Sequence, residues 1–551
     1  MLSTALPWAA AAALLWLLYR LARGFLAPSP LDAIPGPAPK SALAGTMADL
    51  ADRNAWPLLD KLTNDYGQVV KCAGPLGGRM LWVFDPKAMH HIVVKDQDVY
   101  EEPAAAIAIG KLLIGPGLMA TTGEHHRRQR KLLNPVFSIA HMRRLTPVFY
   151  EVANRLRAGI ETQLGAAPAD VDLLNWMGRA ALELIGTGAF GHSFDRLVEN
   201  VPHPFADAIK DFVPASAALG PLMALIPLCT PLLDYARARP ALAALLARLA
   251  ARAPHAGVQR MRRVLATLGA TAHEIYSQKQ AALDGEDAEE RMRVLEGRDL
   301  MSVLLRENMH ADAQDRLPAE EIMAQITTFV SAGTDTTSNA LARVLHLLCV
   351  HRDAQERLRD EILEARAQNG GDLGYDEVVA LPYLDAVCRE TLRLYPPASF
   401  VVREATKDAS LPLSTPLPLA DGSTTSALPV PKGTTLLVGI YSANRAPRWG
   451  ADAHLWRPER WLEGLPEAVR GAGVPGVYSH LMTFNGGARA CIGFKFAQLE
   501  MKVVLATLVG AFRFACAEGE EGEVVWNATG IAYPTVGQGE RARLPLRVER
   551  V

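Results

Sequence analysis

The amino-acid sequence predicts a mainly α-helical fold with a few small β-sheets. Residues 318–350 carry apolar side chains at helical spacing over about nine turns. Residues 234–283 are rich in Ala, Leu and Arg and are interrupted by two prolines, as expected of consecutive helices. Strand patterns are few and short, the clearest at residues 80–84 and 434–440. Together these observations favour an α+β protein in which helices dominate.

Composition excludes several functional classes. The chain has 57 basic and 59 acidic side chains, so no general affinity for nucleic acid is expected. Its six cysteines show no paired C-x-x-C spacing, which argues against a zinc site or a disulfide framework. No Gly/Ser-rich or Pro-rich linker divides the residues after about position 45, which favours one large enzyme unit.

The long helix is predicted to begin at Pro318, with proline at the favoured first position and Glu320 and Glu321 in the first turn. Its apolar stripe continues to about Val350, which gives a length of about 50 Å. A helix of this length crosses a whole domain.

The most informative segment is residues 484–493, where Cys491 lies in a glycine-rich loop before an apolar stretch typical of a helix. Backbone N–H groups and the helix dipole at such a junction stabilise a thiolate, which is the form that binds a metal. Gly487 and Gly493 let the backbone pass close to a flat ligand, and Arg489 brings a cation to an anionic ligand edge. A cysteine without these neighbours is usually a small buried hydrophobe.

The pattern Phe-x-x-Gly-x-Arg-x-Cys-x-Gly, which begins at Phe484, resembles the haem-binding loop of the cytochrome P450 monooxygenases. The resemblance implies the cytochrome P450 fold and a haem b whose iron takes the Cys491 thiolate as its axial ligand. Such a ligand pushes electron density onto the iron and favours O–O cleavage. It also implies that Phe484, Gly487, Arg489 and Gly493 hold the cofactor.

A second motif, Ala-Gly-Thr-Asp-Thr-Thr at residues 332–337, lies in the middle of the predicted long helix. A hydroxyl that bonds to a helix carbonyl explains Thr337 but leaves Asp335 unexplained. In the resembling family this motif lies over the haem on the oxygen side, where the acid and the following threonine deliver protons. The resemblance thus implies that Asp335 and Thr336 are catalytic and that Gly333 makes room for oxygen.

A third motif places Glu390 and Arg393 on one face of a predicted helix. An isolated pair of this kind is usually a surface salt bridge worth under about 1 kcal/mol. In the resembling family the pair is joined by an arginine from a downstream Pro-Glu-Arg segment, which is Arg460 here. The resemblance implies a buried structural triad beneath the haem loop that is required for haem incorporation.

A basic run at residues 123–131 completes the predicted cofactor site. On a helix, His126 and Arg130 share one face because they are four residues apart. In the resembling family a Trp-x-x-x-Arg pair at this place binds a haem propionate, and His126 stands where that family has tryptophan. Arg403 matches another propionate-binding arginine.

The N-terminus predicts a membrane anchor. Residues 1–19 carry no charged side chain and are followed by Arg20 and Arg23, the opposite order to a cleaved signal peptide. We expect an anchor at residues 1–23, a proline-rich spacer at 24–45 and a catalytic domain at 46–551. This arrangement, which resembles that of microsomal members, predicts a single-pass protein of the endoplasmic reticulum membrane with its catalytic domain in the cytosol.

The sequence therefore predicts a haem-thiolate monooxygenase that inserts one oxygen atom from dioxygen into an apolar organic molecule. The spacer and residues 482–498 are most similar to fungal members. The apolar segments predicted to line the substrate pocket, which suggest a lipid, terpenoid, sterol or aromatic substrate, are residues 104–119, 204–228, 398–402 and 531–533.

The chain offers no P-loop and no flavin or nicotinamide domain, so electrons must come from another protein. The resemblance implies NADPH-cytochrome P450 reductase as donor, with cytochrome b5 as an additional partner. Arg127, Arg128 and Lys131 are expected to steer that encounter. Two alternatives stay open: a haem-thiolate isomerase or dehydratase that needs no reductase, and a non-catalytic haem-binding protein. Both have less need of the Asp335–Thr336 pair.

Overall fold

The computed structural model describes most of the chain. The described residues are 19, 26–198, 204–220, 222, 226, 229, 235–236, 239–285, 296–297, 299–517, 523–539 and 541–551. The predicted anchor at 1–23 lies outside the described residues except for Tyr19. The start of the predicted spacer and several positions of the expected pocket segment 204–228 also lie outside them. Among the described residues, no helix is long and apolar enough to cross a membrane.

The chain divides into two compact units. The first comprises the described residues up to Pro103 together with Arg389–Cys491 and Trp526–Tyr533. The second comprises Ala104–Cys388, Ile492–Val525 and Pro534–Val551.

A five-stranded mixed sheet organises the first unit. Its strands, in spatial order, are Val69–Ala73, Arg79–Val83, Thr435–Gly439, Phe400–Ala405 and Tyr100–Glu101. The second and third of these strands pair in parallel, and the other neighbours are antiparallel. Four consecutive residues of the second strand are buried, as expected of a strand that is covered on both faces.

The other strands of the first unit form two antiparallel pairs, Ala409–Pro418 with Thr424–Val430 and Gly476–Tyr478 with Leu481–Gly486. Its short helices are Pro30–Ala33, Thr46–Leu50, Trp56–Asn64, Pro75–Gly77, Pro86–His90, His91–Lys95, Ile440–Arg445, Pro447–Trp449, Arg460–Glu463, Glu467–Arg470 and Gly487–Arg489. The last strand and the last helix lead directly to Cys491.

Helices dominate the second unit. They are Ala104–Leu113, Leu118–Ala120, Gly123–Leu133, Asn134–Phe137, Ile139–Leu164, Leu173–Ile185, Gly186–Phe190, Pro204–Ala218, Pro240–Arg252, Ala256–Asp284, Leu300–His310, Ala319–Val350, Arg352–Asn369, Tyr375–Ala380 and Phe494–Ala511. Pro382–Leu394 runs from this unit into the first. A small antiparallel sheet has the strand order Phe512–Cys516, Pro545–Arg550, Ala169–Asp172. The two remaining strands are Val524–Asn527 and Tyr533–Val536.

The predicted long helix is observed as Ala319–Val350, and the predicted mainly helical architecture is confirmed. Pro318 stands at the N-cap, one position before the first helical turn. Glu320 and Glu321 occupy the first turn, where they complement the helix dipole. Gly333 allows a close helix contact, since an added Cβ would lie 2.6 Å from Cδ1 of Ile185.

Candidate functional site

Cys491 ends the loop formed by Leu481–Gly486 and Gly487–Arg489, here called the Cys491 loop. Its backbone N–H donates to the carbonyl oxygen of Phe484 at 2.8 Å. The cysteine residue is exposed, unlike most cysteines, which are buried. A backbone bond across the loop therefore fixes the cysteine while its side chain stays accessible to a ligand.

The shape of this loop depends on Gly487. Its φ is +66°, a left-handed conformation that favours glycine. An added Cβ would also lie 1.6 Å from the carbonyl oxygen of Val93. Gly493 differs, because a Cβ there would make ordinary contact at 3.8 Å with Phe137. Packing within the described protein thus requires glycine at 487 and leaves room at 493.

Two of the predicted cofactor-binding arginines lie in one charge cluster of the first unit. Arg489 approaches Glu101 and Glu102, with nitrogen–oxygen distances of 3.6 Å to each carboxylate. Arg403 lies 3.7 Å from the same Glu102 and donates to the carbonyl of Val402 at 2.7 Å. Burial lowers the pKa of Arg403, and the nearby Arg489 acts in the same direction. The two acids beside these arginines were not predicted from the sequence.

The predicted triad is brought together in the first unit. Arg393 donates to both carboxylate oxygens of Glu390, at 2.9 and 2.8 Å, and Arg460 donates to the same carboxylate at 3.4 Å. All three side chains are buried. Burial lowers the pKa of Arg393, whereas the Glu390 carboxylate raises it. The carboxylate therefore compensates much of the cost of burying the guanidinium.

Two further donors complete the environment of Glu390. The indole Nε1 of Trp461 and the backbone N–H of Arg457 both donate to its carboxylate at 3.0 Å. Sequence reasoning missed Trp461, although its position beside Arg460 was a usable signal, because a buried indole N–H needs an acceptor.

Asn444 connects this network to the Cys491 loop. Its carbonyl oxygen accepts from Arg393 at 3.0 Å, and its side chain donates to Thr483 at 2.8 Å and accepts from the backbone of Met482 at 2.9 Å. Thr483 in turn donates to the carbonyl of Leu392 at 2.8 Å. The triad is thus joined by hydrogen bonds to the strand that positions Cys491.

Thr336 and Asp335 lie in the middle of the long helix, in the second unit. The Thr336 hydroxyl donates to the carbonyl of Ala332 at 2.7 Å, so the bond to a helix carbonyl that was expected at Thr337 occurs here. Burial raises the pKa of Asp335, and Lys210 on the helix Pro204–Ala218 opposes that shift. A carboxyl group with a raised pKa is able to hold and release a proton.

The basic run forms the helix Gly123–Leu133, as predicted, with His126 buried. The three cations expected to steer a partner each lie near an acid of the same unit: Arg127 with Glu124, Arg128 with Glu321 at 3.8 Å, and Lys131 with Asp315 at 2.8 Å. Paired charges produce a weaker field than isolated ones, so the steering effect expected of these residues is smaller than the sequence alone suggests.

This helix also contains contacts that the sequence did not reveal. His125 and Gln129 both contact a carboxylate oxygen of Glu321, at 2.9 and 2.7 Å. Gln129 also donates to the carbonyl of Pro116 and accepts from Thr121. These bonds hold the Gly123–Leu133 helix beside the start of the long helix.

Comparison with known proteins decides the family. The sequence model described as Cytochrome P450 matches residues 35–537. Cytochrome P450 monooxygenase 91 from Postia placenta is 46% identical over 539 residues, 98% of this chain and 97% of that protein. This chain belongs to the cytochrome P450 family. A cytochrome P450 from Hericium erinaceus is more distant, 35% identical over 528 residues that cover 94% of each chain.

A ganoderic acid synthetase from Ganoderma lucidum is 44% identical over 547 residues, 98% of this chain and 97% of that protein. These relatives are fungal, which confirms the predicted similarity to fungal members of the family. The relatives named cytochrome P450 monooxygenase match nearly the whole chain, which identifies it as a cytochrome P450 monooxygenase.

Cytochromes P450 carry a haem iron with a thiolate ligand, and the residues of this chain fit that cofactor. Cys491 is an exposed cysteine. The same compact unit holds two arginines, Arg403 and Arg489, of the charge that haem carboxylates require.

Proposed function

We propose that this cytochrome P450 uses Cys491 as the thiolate ligand of haem and inserts one oxygen atom from dioxygen into an apolar substrate. The observation that carries the proposal is the exposed cysteine held by its backbone bond to Phe484. When bound, the haem supplies dioxygen activation, for which thiolate ligation is suited. The buried triad of Glu390, Arg393 and Arg460 maintains the loop that presents the sulfur.

The remaining cofactor contacts follow from charge and shape. Arg489, Arg403, Arg130 and His126 bind the haem carboxylates. Guanidinium groups suit this task because they pair with carboxylates through two parallel hydrogen bonds. Phe484, Gly487 and Gly493 shape the loop around the cofactor.

Asp335 and Thr336 deliver protons during oxygen activation. The raised pKa of Asp335 lets its carboxyl group carry a proton at neutral pH more readily than an exposed aspartate does. The Thr336 hydroxyl already donates to the carbonyl of Ala332 and still has lone pairs that accept a hydrogen bond from a neighbouring donor.

Electrons come from NADPH through a separate cytochrome P450 reductase, with cytochrome b5 as an additional donor. Residues 1–23 anchor the protein in the endoplasmic reticulum membrane as a single pass, 24–45 form the spacer and 46–551 form the cytosolic catalytic domain. The substrate is a lipid, terpenoid, sterol or aromatic compound, because the candidate pocket segments are mostly apolar. A relative named for ganoderic acid synthesis supports a natural-product substrate.

The test compares the parent with Cys491→Ala, using the carbon monoxide difference spectrum of the reduced protein. The parent should give the thiolate-type spectrum and the variant should lose it. A thiolate-type spectrum in the variant would overturn the assignment of Cys491. The parent should also consume NADPH in the presence of added reductase and a substrate panel of the four classes named above. Product formed from a peroxide substrate without reductase would instead favour an isomerase.

A further inference from the structure

A cluster of two arginines and two glutamates lies beside the Cys491 loop. Glu102 approaches both Arg403 and Arg489, at 3.7 and 3.6 Å, and Glu101 approaches Arg489 at 3.6 Å. The two arginines are the better buried members, with 5% and 14% of their side chains exposed, against 24% and 25% for the glutamates. We call these four residues the Glu–Arg cluster.

Backbone pairing positions the strand that leads to Glu102. The strand Tyr100–Glu101 runs antiparallel to Phe400–Ala405, with Glu101 opposite Glu404. The strand ends at Glu101, and the side chain of the next residue, Glu102, lies 3.7 Å from that of Arg403. Just upstream, the side chain of Gln97 accepts from the backbone N–H of Ala488 at 3.3 Å, which ties this segment to the Cys491 loop. The segment that carries the acids is thus held by main-chain pairing at Tyr100 and Glu101 and by the side chain of Gln97.

Charge balance gives the cluster a consequence for the cofactor. Two guanidiniums and two carboxylates sum to zero before any ligand binds. Haem brings two more carboxylates to the same guanidiniums if Arg403 and Arg489 bind it as proposed. Like charges that share one site repel each other, and the repulsion is stronger where burial limits solvent screening.

We propose that Glu102 is a positioning residue that competes with the haem carboxylates for Arg403 and Arg489, and thereby lowers both haem retention and the reduction potential. This inference rests on the proposed haem-thiolate function. The Glu102 carboxylate lies 3.6 and 3.7 Å from the two guanidiniums, which is longer than a hydrogen bond. A haem carboxylate is therefore able to form the closer contact. The residual negative charge disfavours adding an electron to the haem.

The experiment measures haem loss from the full-length holoenzyme into excess apomyoglobin, which traps free haem. Glu102→Gln removes the charge while keeping the side-chain size, and it should slow haem loss by about two- to fivefold, the effect expected of one partly exposed ion pair. Glu101→Gln should act in the same direction with a smaller effect. The Glu101 carboxylate approaches Arg489, but its strand neighbour is Glu404 and not Arg403. The midpoint potential of Glu102→Gln, measured by spectroelectrochemistry, should shift upward.

The control is Glu467→Gln, which makes the same chemical change at an exposed pair with Arg470 in the same unit. It should leave haem loss and potential at parental values. Faster haem loss in Glu102→Gln would show that Glu102 supports the arginines, and parental values would show no competition; either result overturns the inference. If Glu102→Gln does not accumulate, the direction of the Glu101→Gln effect decides the question.

The carbon monoxide spectrum separates this inference from the proposed function. A parent protein without the thiolate-type spectrum would overturn the haem-thiolate assignment itself. A normal parental spectrum with unchanged haem loss in Glu102→Gln would overturn only the competition by Glu102.

Discussion

Glu390 and Arg393 form a two-point ion pair, with nitrogen–oxygen distances of 2.9 and 2.8 Å, and neither side chain is exposed. A buried charge of either sign is costly unless it is paired and hydrogen-bonded. The Nη1 group of Arg393, which does not contact Glu390, donates to the carbonyl oxygens of Asn444 and Ala453 at 3.0 and 2.7 Å. The pair therefore binds together segments that are distant in the sequence.

Arg393→Lys should prevent accumulation of haem-loaded protein. Lysine keeps the positive charge, but one ammonium group lacks the planar fork that serves both Glu390 and the carbonyls. Disrupting a buried pair typically costs about 3–5 kcal/mol. The measurements are haem content per chain and the thermal unfolding midpoint.

The matched control for this change is Arg470→Lys. Arg470 pairs with Glu467 at 2.8 Å with the same three-residue spacing, but both side chains are exposed. An exposed pair of this kind is worth about 0–1 kcal/mol, so the control should load haem normally. Equal loss of haem in both variants would contradict a special role for the buried pair.

Gly487→Ala should abolish the native Cys491 loop. Alanine at this position meets two obstacles, the φ of +66° and a Cβ 1.6 Å from the carbonyl oxygen of Val93. The conformational strain alone costs about 1 kcal/mol, and the steric overlap requires the backbone to move. The expected result is loss of the thiolate-type carbon monoxide spectrum together with reduced yield.

Gly473→Ala separates the two obstacles. Gly473 has nearly the same φ, +64°, but no atom lies within 4 Å of the added Cβ. This variant carries the conformational strain without the overlap and should keep a normal spectrum. If both variants behave alike, close packing against Val93 is not what makes glycine necessary at 487.

The sequence predicted those parts of the fold that depend on local patterns. The long helix and the strands at Arg79–Val83 and Thr435–Gly439 were predicted within a residue or two, because hydrophobic periodicity and capping are encoded in adjacent residues. The three residues of the triad were predicted from the family resemblance of their motifs, and the structure brings them together.

The remaining contacts join segments that no local pattern connects. Glu102 reaches Arg403 across some 300 positions, through strand pairing that periodicity does not determine. Asn444 lies between Arg393 and Thr483 for the same reason. The acidic partners of the basic run were also missed, because a run of charges resembles a solvated face until its neighbours are known.

Glu500→Gln should stabilise the protein at neutral and alkaline pH. Glu500 is buried in the helix Phe494–Ala511, and neither carboxylate oxygen has a hydrogen-bond partner among the described residues. Burial raises its pKa well above the usual value. The folded state therefore binds this proton more tightly than the unfolded state, and stability falls as pH rises from the unfolded pKa towards the raised folded pKa.

Glutamine removes this titration, so the gain of the variant over the parent should grow with pH across that window. At neutral pH the parent must either protonate or bury the Glu500 carboxylate, whereas glutamine is neutral at every pH, so the variant should be the more stable protein. Thermal unfolding of both proteins at pH 5 and pH 8 measures the difference. Glu549→Gln, at an exposed position of the same unit, should show no such trend. A gain that shrinks at higher pH would contradict the assignment.

Thr336→Ala should separate NADPH consumption from product formation. The Thr336 hydroxyl lies one residue after Asp335, and its bond to the Ala332 carbonyl holds it in a defined orientation. Without it, proton delivery is impaired, and reduced oxygen is released as hydrogen peroxide. Haem binding should remain normal, while the product formed per NADPH falls by about tenfold, a smaller loss than the roughly 10²–10⁴-fold typical of removing one general acid–base group.

Two variants distinguish this role from support of the helix. Thr336→Ser keeps the hydroxyl and should recover most of the coupling. Thr162→Ala removes an equivalent bond, from the Thr162 hydroxyl to the Ala158 carbonyl at 2.9 Å, at an exposed helical position away from the motif. That change should leave coupling intact, because it alters a helix bond without removing a proton donor. Unchanged product yield per NADPH in Thr336→Ala would mean that the hydroxyl only caps a helix carbonyl, and proton delivery would then have to proceed without it.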